Sequence, residues 1–101
     1  MRWLAFLLLP IMVQAAPVAE RQASLINLLR DDCGSCHGGQ LNGGLGPSLR
    51  AKALATKPDE LLYDTIANGR EGTAMPPWRN FLNDEEIRWL IKVLRTEQWQ
   101  K

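Results

Sequence analysis

Apolar residues recur along this chain at helical spacing, and nowhere do they alternate as strand residues do. The first apolar block, Leu4 to Val13, is a continuous run broken only by Pro10. From Glu20 the pattern becomes amphipathic. Leu25, Leu28, Leu29, Cys33 and Cys36 fall on one helical face, so a leucine stripe is expected to run into two cysteines. Gly38-Gly39 supplies the stop. A second helix is expected over Glu60 to Ala67, with Leu62 and Ile66 inward and Leu61 and Tyr63 beside them. Thr56 is placed to cap it, Pro58 suits its first turn, and Gly69 after Asn68 suits a left-handed end. A third helix starts at Asn83, with Glu86 completing a capping box. Its apolar face is Ile87, Leu90, Ile91 and Leu94, widened by Trp89 and Val93. It is expected to fray near Glu97 and leave Trp99 in a tail. The charged residues from Asp84 to Arg95 read as its solvated face. Ser48 to Ala55 suits a turn or two of helix. Two irregular stretches separate these elements. Gly38 to Leu49 holds five glycines, and Arg70 to Leu82 is stiffened by Pro76-Pro77. The fold class is all-α, in one domain.

The leading run is too short to span a bilayer, which takes roughly 20 apolar residues. Arg2 before it and the small-x-small sequence Val13-Gln14-Ala15 after it make a secretory signal peptide over residues 1–15, cleaved before a domain of residues 16–101. Export to the periplasm is the implied destination, with no stable membrane anchor. Cleavage would leave 86 of the 101 residues and remove Arg2, bringing 12 basic side chains down to 11 against 11 acidic ones. That balance offers nothing for nucleic acid. A domain this small commonly needs a staple, yet its only cysteines, Cys33 and Cys36, are too close to cross-link distant chain.

Those cysteines belong to Cys33-Gly34-Ser35-Cys36-His37, the attachment signature of a c-type haem. Two thiols at this spacing add to the two vinyl groups of one porphyrin, and the next residue offers an imidazole to the iron. Three other readings compete. A thioredoxin-like pair needs a preceding strand. A zinc site needs four ligands, usually two separated pairs. A disulfide across so short a span stabilises little. His37 is the only histidine, so the sixth iron ligand is methionine, another donor, water or nothing. Met1 and Met12 leave with the signal segment, so Met75 is the one thioether that remains. His/Met ligation leaves no open iron position and suits electron transfer rather than substrate chemistry.

Taken with Leu45-Gly46-Pro47-Ser48-Leu49 and Gly72-Thr73-Ala74-Met75-Pro76-Pro77-Trp78, the haem motif resembles class I cytochrome c over essentially the whole mature chain. The resemblance implies one covalently bound haem c in a crevice of three to five short helices, with the first and last crossing. It also implies that the Pro47 carbonyl accepts the Nδ1–H bond of His37. Arg30-Asp31-Asp32 before the motif, Gly43-Gly44 and Asn68-Gly69-Arg70 narrow the likeness to the small NirC-type monohaem cytochromes associated with cytochrome cd1 nitrite reductase. For that group the implied role is a periplasmic, monomeric electron carrier. It donates to the nitrite reductase in denitrification, or accepts electrons during haem d1 maturation. A carrier for another oxidase or dehydrogenase is the alternative, and an open-iron haem enzyme or sensor is the rival class. Arg70 is placed to pair with a haem propionate, or is a solvated loop arginine. Trp78 closes the crevice and donates its N–H to a propionate, or simply packs. Contacts with redox partners of this kind are small, below about 1,200 Å² in total.

Overall fold

The structure is a computed structural model and describes residues 16–100; the expected signal segment lies outside the described residues. Every regular element among the described residues is helical: α1 (Ala19–Leu28), a π-helical turn (Leu29–Cys33), α2 (Gly34–His37), α3 (Ala51–Leu54), α4 (Asp59–Asn68), α5 (Asp84–Thr96) and a 3₁₀ turn (Gln98–Gln100). None of these helices is long and apolar enough to cross a membrane.

α1, the π turn and α2 run head to tail, since Leu29, Cys33 and Gly34 all keep right-handed helical dihedrals. The π turn alters the expected stripe. Its closing bond runs from the Gly34 N–H to the Leu29 carbonyl, five residues apart instead of four. Leu25 and Leu29 are fully buried, Gly34 is buried after them, and Cys33 packs partly buried against the same core. Cys33 and Cys36 are each half-buried.

α5 is the organising helix. Asn83 caps it, its side chain accepting from the Glu86 N–H at 2.8 Å while Glu86 Oε1 accepts from the Asn83 N–H at 3.0 Å. Ile87, Leu90, Ile91, Val93 and Leu94 are buried along its length against α1, α3 and α4. Fully burying one such side chain contributes about 1.5–3 kcal/mol. Its charged residues are not simply solvated. Glu86 takes an ion pair from Arg21 on α1, and Arg88 reaches Glu60 on α4. Arg95 pairs with Asp59 and donates to the carbonyls of Leu54 and Lys57, in the turn between α3 and α4.

Two helix ends differ from expectation. α4 begins at Asp59, with extended Pro58 as its N-cap and no side-chain cap. The Pro58 carbonyl takes the first helical bonds, from the Leu61 and Leu62 N–H groups, so Thr56 lies two residues too early to cap. The end of α5 does not fray. Glu97 turns into the left-handed region at φ 54°, ψ 31°, and returns the chain to the core, where Trp99 is 3% exposed.

Candidate haem site

His37 closes α2, and Gly38 ends the helix at φ 98°, ψ 149°, a conformation open mainly to glycine. The following loop then folds back over the histidine. The His37 carbonyl accepts from the Gly43 N–H at 2.8 Å, and the Cys36 carbonyl accepts from the Gly46 N–H at 2.8 Å. Gly46 consequently lies flat on the imidazole. A Cβ there would meet the ring at 2.7 Å from Cε1 and 2.8 Å from Nδ1. Beyond it, the ring Nδ1–H donates to the Pro47 carbonyl at 2.6 Å. With Nδ1 committed, Nε2 is the ring nitrogen left to bind a metal. The loop's far end is pinned by Leu41, which is 1% exposed and accepts the Leu49 N–H at 2.8 Å.

Met75 sits in the second irregular stretch, half-buried. Gly69 makes that stretch possible. Its φ is positive as expected, but at 70° with ψ −171° it lies outside the left-handed helical region, where residues with side chains are rarely found. A Cβ at Gly69 would come within 2.6 Å of the Met75 carbonyl oxygen. That carbonyl accepts from the Arg70 N–H at 3.2 Å, and the Thr73 hydroxyl donates to the Arg70 carbonyl at 2.6 Å. The Trp78 backbone N–H donates to the Ile66 carbonyl at 2.9 Å, and the Trp78 ring meets Phe81 edge-on at 5.8 Å. The Arg70 side chain is exposed, as are Pro47 and Leu45, the last at 93%. Leu49 of the first loop and Trp78 of the second pack against one core, as do Cys33 of the π turn and Ile66 of α4.

Cys33 and Cys36 are both free thiols. Burial pushes the Cys33 thiol up to about 11, with Asp32 and then Cys36 adding to the rise. Redox-active Cys-x-x-Cys pairs depend on the opposite shift, a depressed thiol. Zinc is equally unsuited, because no group of three or more histidine, cysteine or acidic side chains converges among the described residues. What remains is a half-buried thiol pair beside an imidazole that is fixed at Nδ1 and cradled by a glycine, with one thioether in a separate loop. That donor set fits haem c.

Residues 20–92 match the family described as cytochrome c oxidase, cbb3-type, subunit III. Cytochrome c55X of Stutzerimonas stutzeri is 53% identical over 90 residues, covering 89% of this chain and 80% of its own. The chain belongs to the class I c-type cytochromes. Cytochrome c55X of Pseudomonas aeruginosa is 48% identical over 97 residues, covering 91% of this cytochrome and 82% of its own length. Among solved structures, the c-type cytochrome NirC superposes with a TM-score of 0.80 at 48% identity, over 82% of this chain and 98% of that one. Part of the dihydro-haem d1 dehydrogenase NirN, solved in complex with DHE, superposes with a TM-score of 0.63 at 30% identity. That match covers 68% of this cytochrome and 15% of the longer chain. The family is one of electron carriers that bind haem c.

The architecture also uses residues that periodicity does not single out. Arg30 donates from Nε and Nη2 to the Trp99 carbonyl at 3.1 and 2.6 Å. Arg50 grips the Glu97 carboxylate with Nε at 2.7 Å and Nη2 at 3.2 Å, and its guanidinium lies 5.4 Å above the Trp99 ring. Leu41 was hidden among the glycines, with no helical partners to mark it.

Proposed function

We propose that this cytochrome is an exported, periplasmic electron carrier serving nitrite reduction, working from residues 16–101 after loss of the signal peptide at 1–15. Cys33 and Cys36 would hold one haem c through thioethers, and His37 Nε2 and Met75 Sδ would bind its iron. Haem c supplies a one-electron iron couple. The chain's own residues do the rest. The Pro47 carbonyl holds the His37 ring in one tautomer and strengthens it as a donor. The Gly69 turn delivers the Met75 loop. Arg70 and the Trp78 indole N–H would meet the propionates, and Arg70 would neutralise charge there. With His37 and Met75 both bound to the iron, no position would be left for a substrate, so the protein would pass electrons and perform no further chemistry.

The observation carrying the nitrite-reduction link is the likeness to NirC across nearly all of that chain. It favours donation of electrons to cytochrome cd1 nitrite reductase by a monomeric carrier through a brief contact. A second reading has one specific support, the 30% identity to part of a dihydro-haem d1 dehydrogenase. There the cytochrome would accept electrons released during haem d1 maturation. Stopped-flow mixing separates the two. Reduced cytochrome mixed with oxidised cd1 nitrite reductase is expected to lose its electron within the reductase's turnover time. Transfer slower than turnover, with rapid reduction by the dehydrogenase and its substrate, would move the assignment to maturation.

A further inference from the structure

The C-terminal turn reaches back to the loop that orients His37, and one arginine makes the connection. Glu97 ends α5 in a left-handed conformation that turns its carboxylate toward the start of α3. The carboxylate accepts from Arg50 Nε at 2.7 Å and Nη2 at 3.2 Å, and from the Ala51 N–H at 3.1 Å. Trp99, buried beneath, offers its ring face to the same guanidinium. A two-toothed carboxylate grip plus an aromatic floor leaves a guanidinium little freedom.

The other side of Arg50 holds the histidine loop. Its Nη1 donates to the Gln40 carbonyl at 3.3 Å. Its own N–H donates to Ser48 Oγ at 3.1 Å, and Ser48 Oγ donates to the Leu41 carbonyl at 3.2 Å. Arg50 therefore anchors both ends of the segment 40–48. Pro47, whose carbonyl accepts the His37 Nδ1–H at 2.6 Å, lies inside that segment next to Ser48.

We propose that Glu97 and Trp99, acting through Arg50, form a clamp that fixes the Pro47 carbonyl against His37 and so sets the electron-donating strength of the imidazole. The proposal rests on His37 being an iron ligand. Arg50 is a positioning residue: it touches neither the ring nor the iron. A firmly held acceptor draws on the Nδ1–H and makes Nε2 a stronger donor, which favours oxidised iron. Loosening the clamp weakens that bond, so the reduced form gains.

The test uses the holoprotein with Arg50→Met. Two readouts report on the histidine rather than on stability: the midpoint potential and the proton resonance of His37 Nδ1–H. Arg21→Met is the control, because it removes another ion pair between α5 and the N-terminal half without touching the loop. In Arg50→Met the ratio of reduced to oxidised protein at fixed applied potential is expected to rise about threefold, ~30 mV at ~59 mV per tenfold for one electron. The Nδ1–H resonance is expected to move with it, and Glu97→Gln to shift both readouts the same way by less. Arg21→Met is expected to leave both in place. Unchanged readouts in Arg50→Met, whatever its melting temperature, would overturn the clamp, as would equal shifts in both variants. Failure of the ligand reading is seen separately, in the wild-type spectrum, where His37 would show no sign of iron coordination.

Discussion

Gly46→Ala isolates the seat of the histidine ring. Gly46 is not among the positive-φ glycines, so the added methyl acts first through what it touches. The new Cβ would lie 2.7 Å from Cε1, 2.8 Å from Nδ1 and 3.3 Å from Nε2 of His37. Ordinary contact begins at 3.4 Å, so ring and loop must separate by about 0.7 Å. Neither side gives easily. The ring is tied to Pro47, and Gly46 is tied by its N–H to Cys36. If the separation falls on the Nδ1–H bond, its 2.6 Å stretches to about 3.3 Å, beyond the usual range for such a bond. Overpacking of this size costs about 1–3 kcal/mol. In a domain of this length each kcal/mol lowers the melting temperature by roughly 4–8 °C. Gly46→Ala holoprotein is therefore expected to melt at least about 4 °C lower and to show a displaced His37 Nδ1–H resonance. Wild-type melting together with a wild-type resonance would mean that the ring does not rest on this backbone.

The second loop has its own test. Gly69→Ala combines a φ of +70° with a 2.6 Å approach to the Met75 carbonyl. It is expected to loosen Met75 and let the reduced protein bind carbon monoxide at least about tenfold faster; an unchanged rate would separate Gly69 from ligation. Asn83→Ala removes half of the capping box on α5 and is expected to cost about 1 kcal/mol in urea denaturation, whereas no loss would show the cap to be redundant. Acid should weaken the fold through two glutamates held below their ordinary value of 4.5, Glu86 by the Arg21 hydrogen bond and Glu97 by the Ala51 N–H and then Arg50. A carboxyl depressed in the folded state lends stability that is complete above its ordinary value and is lost as pH falls through the folded one. Stability is expected to fall below about pH 4.5, less steeply in Glu86→Gln and Glu97→Gln, and identical acid slopes would refute the assignment.

The amphipathic parts of the fold were legible because burial leaves a period. The α5 stripe from Ile87 to Leu94 and its Asn83–Glu86 cap appear in the structure as the sequence predicts. The candidate site was open to reading for a different reason. Two thiols, one histidine and, with residues 1–15 removed as proposed, one thioether can be counted without geometry. The π turn was not legible, because one extra residue per ring changes the face of Cys33 without changing the residues around it. The clamp was invisible because Arg50 is far in sequence from Glu97 and Trp99 and meets them through polar and ring contacts, which leave no periodic trace. Trp99 read as tail for the same reason. Its burial follows from the left-handed turn at Glu97, a residue that gives no hint of a positive φ.

Saturation of the iron by His37 and Met75 would make the protein a carrier with no open metal position. Visible spectroscopy of the oxidised holoprotein tests it most directly. A methionine–iron charge-transfer band at the red edge of the spectrum is expected, along with its loss in Met75→Ala. A wild-type protein without that band, whose reduced form binds carbon monoxide readily, would contradict the claim and point to an open-iron enzyme or sensor.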